Sequence, residues 1–234
     1  MSNGGVIPLR PPQAIFFDAG GTLVLQDPVA LGTRLDYSID AEAAFEAHYR
    51  SMSAFARRRL EGHADTWTWW QDHYFGALGV PDHASAGARV DNGYGLWSLA
   101  LPGSIEAVRE IRARGIRTAV VSNSDGSVRQ SLSDAGYDGL FDLIVDSHEI
   151  GVAKPDPGIF TYALEMAGVQ AGYTWYAGDS IYHDVGGAQA AGLARVWLID
   201  PLDLHPDWPD RIPGVAALPR LVRDLDNPSR SLKL

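Results

Sequence analysis

The segment Ala14-Ile15-Phe16-Phe17-Asp18-Ala19-Gly20-Gly21-Thr22-Leu23 joins four apolar residues to a carboxylate and then to two glycines. A carboxylate at such a junction is costly unless a positive or hydrogen-bonding group answers it. Gly20 and Gly21 can bring backbone N–H groups close to a ligand through dihedrals closed to other residues. Three later stretches offer matching groups: Ser122 with Asn123, Lys154 in Lys154-Pro155-Asp156-Pro157, and Asp179 with Asp184. If all four share one crevice, three carboxylates repel and a single lysine compensates them only in part. A hard divalent cation with oxygen ligands resolves that repulsion, and Mg2+ fits best. It also neutralises a phosphoryl group and draws it toward the Asp18 carboxylate. Ser122 and the backbone N–H groups after it can then hydrogen-bond the phosphoryl oxygens, while Lys154 adds a point charge.

For that crevice to exist, each group must stand at the carboxyl end of a strand in one sheet. Continuous apolar runs at 14–17, Thr118–Val121, Phe141–Val145, Thr174–Ala177 and Ala194–Ile199 read as strands covered on both faces. Between them lie helical stretches, one opened by Pro102-Gly103-Ser104 and stopped at Gly115, others stopped at Gly136, Gly168 and Gly192. Strands alternating with helices imply right-handed crossovers and a Rossmann-like parallel sheet with helices on both faces, an α/β fold. The opening residues, with Gly4, Gly5 and Pro8, read as a loose lead-in to the first strand.

The stretch between the first strand and the rest has a different texture. Residues 25–97 hold Trp67, Trp69, Trp70 and Trp97 and read as an inserted helical domain, leaving 1–24 and 98–234 as the α/β core. A first helix is expected over Ile39–Leu60 with Asp40 as its cap, and a second over Thr66–Leu78. The spacing of Trp67, Trp70, Tyr74 and Leu78 puts these four in the core, while Trp69 and His73 share another face that can look toward a cleft. Each of the latter pair reads equally as packing between helices. Arg34 and Arg50 are candidates for a second anionic contact, with plain surface solvation as the competing reading.

Composition narrows the partners. A formal net charge of -10 argues against nucleic acid, although a few basic groups can still hold a small phosphorylated metabolite. With no cysteine there is no thiolate nucleophile and no cysteine-ligated metal centre. No apolar run has the length of a membrane span or signal peptide, so a cytoplasmic protein is expected.

Together these motifs resemble the haloacid-dehalogenase-like hydrolase superfamily, in the branch whose helical cap is inserted after the first core strand. The Asp-x-Asp-x-Thr motif is met by Asp18-Ala19-Gly20-Gly21-Thr22, and the Ser or Thr of the second motif by Ser122. The basic residue matches Lys154, and the acidic motif matches Gly178-Asp179 with Asp184. The resemblance implies a phosphatase in which Asp18 attacks phosphorus and an aspartyl-phosphate is then hydrolysed. It further implies Mg2+ held by Asp18, the carbonyl of Gly20 and Asp179, with Asp184 holding a metal-bound water or orienting Lys154. Ser122, Asn123, Lys154 and Gly21 would contact the substrate.

The departure is Gly20, which stands where family phosphatases carry the aspartate that protonates the leaving oxygen. That help is worth about 10²–10⁴ in rate. Three readings follow: a phosphatase that is slow or restricted to leaving groups needing little protonation, with a cap residue such as His73 lending a proton; a 2-haloacid dehalogenase; or a weak member that binds a phosphorylated ligand or a protein. Halide departs without a proton, but the dehalogenase reading leaves Asp179 and Asp184 as unexplained charge. If the missing acid alone limits the rate, Gly20→Asp is expected to speed phosphate release.

Overall fold

The computed structural model describes residues 11–90 and 95–225, so the segment up to residue 10 that reads as a loose lead-in lies outside the described residues. The chain enters through β1 (Ala14–Phe17), continues into β2 (Val24–Leu25), and then runs through four helices: α1 (Pro28–Leu35), α2 (Ala41–Leu60), α3 (Trp67–Ala77) and α4 (His83–Val90). It returns by β3 (Leu99–Ala100) and continues with α5 (Ser104–Ala113), β4 (Arg117–Ser122), α6 (Val128–Asp134), β5 (Leu143–Asp146), the single turn α7 (Ser147–Ile150) and α8 (Pro157–Ala167). The last part holds β6 (Thr174–Gly178), a π-helical turn at Ile181–Val185, α9 (Gly186–Ala190), β7 (Arg195–Ile199), β8 (Arg211–Ile212) and α10 (Leu218–Leu225).

Six strands form one parallel sheet in the order β5-β4-β1-β6-β7-β8. The chain builds one half of the sheet outward from β1, then returns to build the other. The order therefore switches at β1, and open α/β sheets hold their ligands at that switch, beyond the carboxyl ends of the strands. The apolar run of β1 divides by alternation: Ile15 and Phe17 enter the core on one face with α5, α6 and α10, while Ala14 and Phe16 enter the other with α8 and α9.

The helical layer has a core of its own, built from Leu31 and Leu35 of α1, Met52 and Phe55 of α2, and Trp70, Tyr74 and Phe75 of α3. Asp40 caps α2 as its sequence implies, its side chain accepting from the Ala43 N–H at 2.9 Å. The elements that were not legible are α1, α4, α7, β8 and the β2–β3 ladder, the last an antiparallel pair joining the two crossings between sheet and helical layer. The expected stripe on α3 is met in part. Trp70 and Tyr74 are buried with Phe75, but Trp67 is 45% exposed and Leu78 only half-buried. Trp67 opens the first turn and projects past the end of the packed stripe, while Phe75 beside Tyr74 completes it. Among the described residues no helix is long and apolar enough to cross a membrane.

Trp70 is wholly buried at the centre of the helical layer, stacked on Trp67 at 4.3 Å and on Tyr74 at 4.9 Å. Trp70→Ala is expected to lower stability by about 3–5 kcal/mol, read as a shift of the chemical denaturation midpoint.

Candidate active site

Asp18, Ser122, Lys154 and Asp179 all emerge at the carboxyl edge of the sheet, from the ends of β1, β4 and β6 and the loop before α8. The Lys154 ammonium lies 2.6 Å from Asp18 Oδ1 and 2.7 Å from Asp184 Oδ1, all three side chains being nearly free of solvent. It also donates to the hydroxyl of Tyr176 at 3.1 Å, and that hydroxyl donates to Asp184 Oδ1 at 2.8 Å. The other oxygen of Asp184 accepts from the Ser180 N–H at 2.9 Å, so Asp184 is fixed at both ends. This back-bond closes the π-helical turn at Ile181–Val185. Gly178 is required here because a Cβ would fall 2.4 Å from Asp184 Cγ.

Asp179 meets a different partner. His48 of α2, wholly buried, places Nε2 2.9 Å from Asp179 Oδ2. Gly21 sits beneath this pair at φ +74°, and a Cβ there would lie 2.0 Å from Asp179 Oδ2 and 2.3 Å from His48 Nε2. The N–H of Gly21 donates to the Val24 carbonyl and its own carbonyl accepts from the Tyr49 hydroxyl, each at 2.8 Å. Gly21, expected to contact substrate, has its N–H taken up by the turn and its carbonyl bonded by Tyr49, and it is not among the residues that line the cavity. Asn123 is likewise engaged: its side chain accepts from the Lys154 N–H at 2.7 Å and donates to the Lys154 carbonyl at 2.9 Å. Its side chain positions Lys154 from the neighbouring loop.

The charges are unbalanced. Burial pushes the Asp18 carboxyl up to about 7 against the pull of Lys154, and Asp184 and Asp179 add to the rise. Burial alone would lower Lys154, but Asp18 and Asp184 outweigh it and hold the ammonium at about 12. Burial also raises Asp179, opposed by its hydrogen bond to His48 and by the charge of that ring. One oxygen from each of Asp18, Asp179 and Asp184 lies within 4.8 Å of the others. Three buried carboxylates facing one ammonium form a hard-oxygen donor set, so this cluster suits a divalent cation. Gly20, Ser122 and Asn123 line the same cavity of about 620 Å³.

From the helical layer the cavity receives Met52, Phe55, Arg59, Asp65, Trp67 and Gln71, with Trp97 beside Gly20. Trp69 and His73 do not reach it: Trp69 packs under Arg58 at 4.9 Å, and His73 is exposed with its Nδ1 2.9 Å from Ser51 Oγ. Arg50 pairs with Glu46 on the surface and Arg34 is exposed, so neither serves the site. The arginine that does is Arg59, which donates to the Tyr182 hydroxyl at 3.1 Å. His183 also lines the cavity, and burial lowers it to about 4, which leaves the ring uncharged at neutral pH. Tyr176, His48 and Arg59 were missed from the sequence. A tyrosine inside an apolar strand and a histidine on the inward face of α2 were the available signals, and both read as core.

This geometry agrees with the likeness to known proteins. A family model described as haloacid dehalogenase-like hydrolase matches residues 12–192. The mouse protein named haloacid dehalogenase-like hydrolase domain-containing protein 3 is 32% identical over 192 residues, which span 78% of this chain and 76% of that relative. The chain belongs to the haloacid dehalogenase-like hydrolases. A phosphoserine phosphatase of Thermus thermophilus is 36% identical over 107 residues, 45% of this chain and 42% of that protein. Among solved structures, a dehalogenase superposes with a TM-score of 0.64 at 22% identity over 91% of this chain and 98% of its own, a likeness of fold.

Gly21→Ala combines a strained φ with a Cβ inside the Asp179–His48 contact. The expected outcome is a loss of more than about 1 kcal/mol in denaturant unfolding, together with weaker Mg2+ binding by titration calorimetry.

Proposed function

We propose that the chain is a Mg2+-dependent phosphatase of small phosphate monoesters, with Asp18 as nucleophile. The observation that carries this reading is the buried Lys154 ammonium joining Asp18 to Asp184, with Asp179 completing the carboxylate cluster. Asp18, Asp179 and Asp184, with the carbonyl of Gly20, are the groups that would hold Mg2+. When bound, the ion neutralises the phosphoryl oxygens and returns Asp18 to its ionised, nucleophilic form.

Each protein group then has a task. Asp18 attacks phosphorus in line, the bond to the ester oxygen breaks with its electron pair leaving on that oxygen, and an aspartyl-phosphate forms. Lys154 holds Asp18 in place and meets the phosphoryl charge, Ser122 hydrogen-bonds an equatorial oxygen, and Tyr176 and Asn123 keep Lys154 where it is. Water next attacks the phosphorus of the intermediate, releasing inorganic phosphate and restoring the Asp18 carboxylate. Residues 25–97 act as the cap, enclosing the leaving group and excluding bulk water.

Phosphate is favoured over halide as the leaving chemistry because halide displacement gives Asp179 and Asp184 no work. The related phosphoserine phosphatase supports the same choice. Phosphate release from a panel of monoesters is expected to require Mg2+, to stop with chelator, and to fall to background in Asp18→Asn while the variant stays folded by circular dichroism. Halide release from 2-haloacids that survives chelation would overturn the reading.

A further inference from the structure

Gly20 is more than a missing acid. A Cβ built on it would fall 2.9 Å from Cζ3 of Trp97, and 3.4 Å from both Cε3 and Cη2 of the same ring. The ring is not a loose end that can swing aside. It packs edge-on against His48 at 5.8 Å and stacks on Trp70 at 6.2 Å, and both of those residues are buried. An indole has only two side-chain torsions, so making room at position 20 means moving a ring wedged in the helical layer.

We propose that Trp97 is a specificity-determining residue: its ring fills the place of a general acid and restricts the enzyme to aryl phosphates, whose leaving oxygen is stable as an anion. The inference rests on the phosphatase reading and names its substrate class. With glycine at 20 and an indole filling the space above it, the usual position of the general acid carries no proton donor. When the phosphorus–oxygen bond breaks, the pair therefore leaves as phenolate, which takes its proton from solvent after departure. The cavity suits a flat apolar leaving group, since Met52, Phe55, Trp67 and Trp97 all line it.

The test is a series of substituted phenyl phosphates of graded leaving-group acidity, with one alkyl phosphate, assayed with Mg2+ for kcat/KM, which reports the step that breaks the ester bond. For the native chain kcat/KM is expected to fall steeply as the leaving group becomes more basic, with the alkyl ester lower than the most acidic phenol by at least the value of a general acid, about 10²–10⁴. Gly20→Asp alone is expected to bring no gain on the alkyl ester, because Trp97 occupies the space. Gly20→Asp combined with Trp97→Ala is expected to flatten the dependence and raise the alkyl ester by about 10² or more. A shallow dependence in the native chain overturns the inference and leaves the phosphatase reading intact. So does a Gly20→Asp single variant that gains as much as the double one. Absence of phosphate release across the whole series overturns the phosphatase reading and this inference with it.

Discussion

One ammonium group holds this site together. Lys154 Nζ binds Asp18, which ends β1, and Asp184, which lies beyond β6, while the hydroxyl of Tyr176 closes the triangle from inside the sheet. Burying such charges costs several kcal/mol per ion, and removing one partner of a buried pair typically costs about 3–5 kcal/mol because the other is left uncompensated. The arrangement is therefore poor as a device for stability and makes sense as a device for chemistry. The lone ammonium leaves the Asp18 carboxyl raised to about 7. The cluster is incomplete on charge alone, which is the condition under which a divalent cation and an anionic substrate bind well.

What positions this triangle is the order of the sheet. β1 lies between β4 and β6, so Ser122 and Asp179 flank Asp18 from either side. Lys154 comes from a loop two elements away and reaches the same point because Asn123 clamps both of its backbone groups. Such placements explain which parts of the sequence were readable. Asp18, Ser122, Lys154, Asp179 and Asp184 follow apolar runs or turn signals that mark strand ends, so a one-dimensional pattern locates them. The five longer strands were legible for the same reason. Tyr176 and His48 were not, because a buried polar side chain looks like core until its partner across the fold is known. The two-residue strands β2, β3 and β8 are too short to show any alternation. On α3 the helical period and the Trp70–Tyr74 stripe were read correctly, but the exposure of Trp67 and the burial of Phe75 were not. Four aromatic residues in the first eight leave several stripes equally apolar, and only packing against α2 and α4 selects Trp70, Tyr74 and Phe75.

The likeness to both phosphatases and dehalogenases reflects how little of the fold specifies the leaving group. Asp18 and Lys154 serve any in-line displacement by a carboxylate, whatever departs. The discriminating features are the additional carboxylates, which call for a cation, and the surroundings of position 20, which decide whether a proton is delivered. In this chain the first points to phosphate and the second to a leaving group that needs no proton. On the proposed reading the two are compatible only for a restricted set of esters, so the site's chemistry would narrow the substrate before the cavity walls are considered.

The helical layer does more than cover the crevice. His48 and Tyr49, neighbours on α2, contact Asp179 and the carbonyl of Gly21 respectively, and Trp97 on the returning connection lies against Gly20. Three contacts from one layer thus fall on the turn that follows Asp18 and on its acidic neighbour Asp179. A cap that only shaped the cavity could vary freely at these positions, whereas here a change in the packing of α2 or of Trp97 alters the acidic cluster itself. The helical layer and the acidic cluster are in direct contact. The packing gives a physical reason for glycine at both 20 and 21: Trp97 of the helical layer occupies the space at 20, and Asp179 with His48 occupies it at 21.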